Sequence, residues 1–333
     1  MQLKTIGEFG FIQRFAPKFS QLVDQKDGGI GDDCAILQIN DALSHVVTTD
    51  LLIEDIHFLK DEITPKELGY KSLAVNLSDI AAMGAQPLYS FLSIGIPANT
   101  EVEYLDAFME GYYELSEKYG VPLMGGDTTK SADRLVINVA VIGQGTTGDL
   151  RMRSMAEDGD VVAVSGFLGD SGGGLKVMLD GVERTPEALS LIKSHHLPEP
   201  MINEGLWLAQ QAGVHAMMDI SDGISSDLTH ILKASSKQAT VHLECLPVSK
   251  MLQKVGEQHD WNIHGLASGG GEDYELLFTV KCDAFDQLNA DFQKKFGKPL
   301  YNIGEIKKGE PQITWMNNGV EVVESKHGFD HFK

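Results

Sequence analysis

The feature that most constrains this chain is the stretch LAVNLSDIAAMGA at 73–85, a mostly apolar segment with a carboxylate, Asp79, near its centre. It belongs to a longer helical pattern. Thr64 is an N-cap candidate, Pro65 stands at the first helical position and Glu67 completes a capping box. Gly84 and Pro87 supply stop signals, so the sequence predicts a helix from Thr64 to about Met83. Asn76 and Asp79 share one face of it, while Leu73, Leu77, Ile80 and Met83 take the remainder. A carboxylate in that setting is at least partly buried, and a buried carboxylate needs a partner.

Around this helix, short β-branched runs alternate with helical patterns. CAILQI (34–39) and HVVTTDLLI (45–53) read as strands. A second helix is expected with Thr100 as cap, Glu103 completing the box, Leu105, Phe108, Met109, Tyr112 and Leu115 as its apolar stripe, and Gly120 at its end. RLVINVAVIGQG (134–145) alternates like a strand with one buried face. From Asp160, DVVAVSG reads as a buried strand and FLGDSGGGLKVML as a glycine turn entering a helix. MDISDGISSDLTHILKAS (218–235) echoes VNLSDIAAMG (75–84) by setting Ser-Asp at or within a helix behind apolar residues. The length of 333 residues and this echo suggest two related halves, 1–150 and 151–333.

Composition narrows the function. With 48 Asp and Glu against 27 Lys and Arg, the formal charge is −21, and no basic cluster offsets it, so nucleic acid is not an expected partner. Phosphorylated small molecules stay open, because divalent cations can sit between carboxylate and phosphate. Cys34, Cys245 and Cys282 are too few and too far apart for a disulfide framework or a zinc site, which fits a reducing cytoplasm. The opening MQLKTIGEFGFIQRFAP lacks a signal-peptide core, and there is no apolar run of about 18 residues, so neither export by that route nor a membrane span is expected.

The acids fall into blocks that follow or interrupt apolar segments: GDD at Asp32 and Asp33, TTD at Asp50, NLSD at Asp79, GGDTT at Asp127, and DISD at Asp219 and Asp222. A solvated surface explains the acids near Asp24 or Glu324 well but explains NLSD at Asp79 badly. Converging carboxylates without a surplus of Lys or Arg repel unless cations neutralise them, and hard oxygen ligands point to Mg²⁺, Mn²⁺ or Ca²⁺. The EF-hand spacing is missing, so the site has to be assembled from distant strand ends and helix starts. Adjacent acids in an extended chain face opposite sides, and Asp32 is expected to be the one that enters the cluster. GDSGGGLK (169–176) has Leu175 where a Walker A motif needs Lys, so its glycines read first as close-packing positions, with anion binding at the helix start as second option. SGGGEDYELLF (268–278) sets Glu272 and Asp273 between three glycines and a buried element.

Together GIGDDCA, TTDLLIEDIHF, AVNLSDIAAMGA, GGDTT, DISDGISSDL and SGGGEDYEL resemble the thiamine-monophosphate kinase family of the aminoimidazole-ribonucleotide-synthetase-like ATP-binding superfamily, from about Phe9 to GFDHF near the C-terminus. The resemblance implies an α/β (α+β) fold of two related α/β halves, the N-terminal one pairing in a homodimer to form a β-barrel, with ATP beneath the glycine-rich and Asp-rich segments of the first half. It implies transfer of the γ-phosphoryl group of ATP to thiamine monophosphate with several Mg²⁺ ions. Matching positions carry over Asp32, Thr48, Thr49, Asp50, Asp79, Asp127 and Asp219 or Asp222 as metal ligands, with Asp50, Asp79 and Asp127 at the catalytic centre. They also suggest Arg153 and Ser221 near the ATP phosphates, Gly126 and Asp127 near the nucleotide, and His57, Glu272 and Phe329 near the thiamine moiety. By itself His57 reads as a structural histidine. Two departures stand out: Asp55 where the family commonly has Gly, and RSMAEDGD in place of RSGAKPGD beside Arg153.

The chemistry implied needs no strong base, because an acceptor phosphate with a second pKa of about 6 is largely ionised near neutral pH. In-line positioning and electrostatic stabilisation carry it, without a phosphoenzyme. The cationic thiazolium suits an acid such as Glu272 and an aromatic face such as Phe329 or Trp315, although Trp315 reads first as a buried structural residue. The competing readings are a metal-dependent phosphohydrolase, a sister synthetase of the same superfamily, and an ion or nucleotide sensor without turnover. His57 and Glu272 favour the kinase.

Overall fold

The structure is a computed structural model that describes residues 2–323, so Phe329 lies outside the described residues. The first half runs α1 (Gly7–Ser20), β1 (Ala35–Gln38), β2 (Leu43–Ile53), α2 (Pro65–Ala82), β3 (Gln86–Pro97), α3 (Val102–Tyr119), β4 (Leu123–Ser131) and β5 (Val136–Thr146). Its strands form a sheet in the order β1-β2-β5-β3-β4, antiparallel except for β3 with β4. β2 and β5 alternate buried and more exposed residues, as a strand with one covered face must. Val46, Leu52, Ile137, Val139 and Val141 turn inward, and α2 packs on these two strands.

The capping box of α2 forms as predicted: Thr64 Oγ1 accepts from the Glu67 backbone N–H at 3.2 Å, and Glu67 Oε2 accepts from the Thr64 N–H at 2.9 Å. α3 lies so close to α2 that a Cβ on Gly69 would stand 1.8 Å from the Phe108 carbonyl oxygen, and one on Gly111 1.8 Å from that of Lys66. The cap expected at Thr100 is not used. Its N–H donates to Pro97 O at 3.0 Å in the turn leaving β3, and α3 starts at Val102 without a side-chain cap. Gly120 ends α3 in the left-handed region, φ 66°, as predicted.

The second half runs β6 (Asp160–Val164), α4 (Asp170–Leu179), α5 (Pro186–His196), α6 (Ile202–Ala209), β7 (Val214–Asp219), α7 (Ile224–Ser235), β8 (Lys237–His242), α8 (Lys250–Gln258), α9 (Ile263–Gly269), β9 (Leu276–Lys281), α10 (Phe285–Phe296), β10 (Tyr301–Lys308), β11 (Ile313–Asn317) and β12 (Val320–Val322). These strands form a sheet in the order β12-β11-β8-β10-β6-β9-β7. β6 is buried on both faces. Val161 and Ala163 join a core shared with Leu77 and Ile80 of α2, whereas Val162 and Val164 join a second core on the opposite side. Trp315 is buried in that second core, so it is structural.

The architecture is mixed α/β, and the change of sheet falls between Thr146 and Asp160. The first sheet is open in the single chain; among the described residues no closed barrel forms, and β4 is an edge strand exposed along almost its whole length. None of the described helices is long and apolar enough to cross a membrane.

Candidate active site

Helix α2 aims Asn76 and Asp79 at β2, as their shared face requires. Asn76 Oδ1 accepts from the Asp50 N–H at 3.1 Å, and Asp79 Oδ2 accepts from the Thr48 hydroxyl. Ser78 donates to Asp219 Oδ2 at 2.5 Å, at the end of β7. The two segments that carry the Ser-Asp echo therefore meet in space, through Ser78 and Asp219. Carboxylate oxygens of Asp33, Asp79 and Asp219 lie within 4.8 Å of one another.

Burial, then the neighbouring Asp33, pushes Asp219 up to about 8. Burial raises Asp50 to about 6, and burial together with Asp50 and Asp219 raises Asp79 well above the carboxylate range. Arg153 borders the cluster: its Nη2 donates to Asp33 Oδ1 at 2.6 Å and its backbone N–H to Asp32 Oδ1 at 3.2 Å. Burial, followed by Asp33, lifts Asp32 to about 7. Asp33 rather than Asp32 completes the triad, because the chain bends at Asp33 and Cys34 instead of running extended. Asp33 Oδ2 is buried without a hydrogen-bond partner among the described residues. An orphan carboxylate oxygen facing two other carboxylates, with the Thr48 hydroxyl beside them, is a donor set that fits a hard divalent cation.

Thr49 and Asp127 belong to the other face of the sheet. Asn138 Nδ2 donates to Thr49 Oγ1 at 2.8 Å, and the register Leu51, Asn138, Ser93, Asp127 sets Asp127 in the same outward row. Asp127 is three strands from β2, roughly 14 Å at about 4.8 Å per strand, so within one chain these two stand apart from the triad. Gly126 has φ 152°, and a Cβ there would stand 1.6 Å from Leu92 O, so the backbone demands glycine. Beside it a cleft of about 490 Å³ opens between α3 and the β3–β4 edge, lined by Leu92, Ile94, Phe108, Met109, Gly126 and Asp127.

About two turns earlier than Asp79 along α2, Lys71 Nζ reaches Glu272 Oε2 at 2.9 Å, and His195 Nδ1 lies 3.2 Å from the same oxygen. Burial works against the Glu272 charge, but the Lys71 ammonium holds its pKa below the ordinary value. His57 is close enough to act on the Glu272 charge. His57 Nδ1 accepts from the Ile53 N–H at 3.0 Å within a tight loop. In that loop Asp55 adopts φ 65°, a conformation suited to glycine, and its carboxylate pairs with Arg134 at 2.8 Å. Lys71 and His195 escaped the sequence reading, although a lysine inside an apolar helical run was a visible signal.

Asp219 supplies the triad, whereas Asp222 sits in the following turn, where its N–H and that of Gly223 donate to Asp227 Oδ2 at 3.2 and 3.0 Å. Ser221 O accepts from the Glu272 N–H at 2.8 Å. The start of α4 is filled by the protein's own carboxyl group: Asp273 accepts from the Gly169 and Ser171 N–H groups at 2.6 and 3.1 Å. The α4 glycines pack against helices, since a Cβ on Gly174 would meet Leu191 O of α5 at 2.2 Å.

Residues 31–144 match the family model described as AIR synthase related protein, N-terminal domain, and 157–316 that of AIR synthase related protein, C-terminal domain. The chain is 38% identical over 330 residues to a thiamine-monophosphate kinase of Buchnera aphidicola subsp. Schizaphis graminum (strain Sg), covering 98% of each. It is 36% identical over 331 residues to a thiamine-monophosphate kinase of Escherichia coli (strain K12), again covering 98% of each. Among solved structures it superposes on AaThiL complexed with AMPPCP and TMP with a TM-score of 0.86 at 32% identity, over 99% of each chain.

Proposed function

The chain belongs to the thiamine-monophosphate kinase family, and on that premise we propose that it moves the γ-phosphoryl group of ATP to thiamine monophosphate, giving thiamine diphosphate and ADP. The observation that carries the reading is one helix, α2, serving two sites: Asp79 in an acid triad and Lys71 behind the Glu272–His57 pair. The triad suits phosphates met through cations, and the second site suits the organic part of an acceptor.

Asp33, Asp50, Asp79, Asp219 and Thr48 are the residues that would hold Mg²⁺, which when bound neutralises phosphate charge and clamps the transferring group. The cleft beside Gly126 suits the nucleotide base, and Arg153 stands where it can exchange Asp33 for a phosphate oxygen. Glu272 and His57 orient the acceptor, so its already ionised phosphate attacks in line, with no protein base and no covalent intermediate.

The partner is a second copy of this chain. Leu51, Tyr89 and Phe91 stay exposed on the outer face of the first sheet beside the open β4 edge, and a second copy there would close the barrel. Thr49 and Asp127, on that face, would join the metal site only in the closed arrangement. The working units are 1–150 for nucleotide and dimer contacts and 151–333 for the remainder. Three unpaired cysteines suit a reducing cytoplasm.

The test is to incubate the protein with ATP, Mg²⁺ and thiamine monophosphate, omitting each in turn, and to separate products by chromatography. Equal thiamine diphosphate and ADP, formed only with the acceptor present, is the expected outcome. ADP without thiamine diphosphate would replace the kinase with a phosphohydrolase.

A further inference from the structure

Lys71 is fully buried, and its side chain takes no part in the phosphoryl transfer outlined above. A buried ammonium is costly unless it is paired with good geometry. Its partner is Glu272, which lies 201 positions away in the chain. Glu272 is itself held in an uncommon backbone state: φ is 64° there and 52° at Tyr274, two non-glycine residues in the left-handed region. Such conformations persist where surrounding contacts over-determine them. Here those contacts are the Glu272 N–H on Ser221 O, Asp273 on the start of α4, and Lys71 with His195 on Oε2.

His195, lowered to about 3 by burial and by Lys71, is neutral, and its Nδ1 is shared between Glu272 and the Ser171 hydroxyl at 2.9 Å. Lys71 and His195 approach the same oxygen, at 2.9 and 3.2 Å, and Lys71 is the charged one. The hydrogen bond from Lys71 falls on Oε2, and the Glu272 side chain keeps 23% of its surface exposed.

We propose that Lys71 is a positioning residue for the acceptor subsite: by pinning Glu272 Oε2 it fixes Oε1 as the hydrogen-bond acceptor offered to an N–H of the acceptor's amino-heteroaromatic part. The proposal rests on the kinase reading, and kinetics separate the two. Lys71→Met raises KM for thiamine monophosphate about tenfold, as expected for losing a charge-assisted hydrogen bond, while KM for ATP changes less than about twofold. Glu272→Ala has a similar effect, and adding Lys71→Met to Glu272→Ala raises KM no further, because nothing is left to position. A purely structural lysine would instead lower thermal stability and kcat without an acceptor-selective change in KM, and that result overturns the proposal. If Lys71→Met does not fold, Glu272→Ala against the double variant decides: equal KM for thiamine monophosphate supports positioning, and a further rise overturns it. Wild-type protein that makes no thiamine diphosphate sinks the kinase reading itself. An active wild type with unchanged acceptor KM in Lys71→Met sinks only this inference.

Discussion

The two ends of α2 treat buried carboxylates in opposite ways. Toward its C-terminus, Asp79 meets Asp33 and Asp219, with Arg153 at the margin, and burial with mutual repulsion raises the pKa values of Asp79 and Asp219. About two turns earlier, Lys71 meets Glu272, and that pKa is lowered. A carboxylate given a protein cation becomes a fixed piece of geometry. Carboxylates crowded without enough protein cations are a donor set that suits a cation from solution.

The largest expected effect comes from removing a receptor carboxylate. Asp79→Asn keeps the fold and lowers thiamine diphosphate formation on the order of 10²-fold or more, since the transition state loses a charge clamp. A folded variant with near-normal turnover would erase the distinction between the two ends.

The next effect is the pH dependence of metal-free stability. Asp50, Asp32 and Asp219 have folded values of about 6, 7 and 8, above the unfolded value near 3.8. The folded state therefore binds more protons than the unfolded one across that window. Their contribution is fully present below about pH 4 and is lost as pH rises toward 8. Glu272, lowered on folding, has the opposite sign: it stabilises above its unfolded value, and that stability is lost in acid. Thermal melts in chelator should fall from pH 5 to pH 8, and Mg²⁺ should flatten the fall. A chelated protein that grows more stable over that range would show that these buried carboxylates are not strained by their own charge.

The smallest effect belongs to a surface control. Arg134→Ala removes the exposed partner of Asp55 and should cost less than about 1 kcal/mol in denaturant unfolding, as solvated pairs do. A larger loss would mean that the His57 loop depends on this pair.

Much of the acid site was legible because its signals are local. The capping box, the Asn76–Asp79 spacing and the repeated Ser-Asp text fix which face of α2 carries acid, and hydrogen bonds to β2 and β7 follow. What escaped depends on conformation or distance. The bend at Asp33 reverses the expected choice between Asp32 and Asp33, and the turn after Pro97 uses up Thr100. Lys71 finds Glu272, and Asp273 finds α4, through tertiary contacts that no local pattern encodes. Asp127 lies across three strands in one chain, so its part depends on how the open sheet is completed.

The most direct test is calorimetric titration of Mg²⁺ into wild type, Asp79→Asn and Glu272→Ala, each saturated with AMPPCP. The account predicts that Asp79→Asn weakens Mg²⁺ binding at least about tenfold while Glu272→Ala binds like wild type. Equal weakening by both variants, or wild-type binding by Asp79→Asn, would contradict the division of labour along α2.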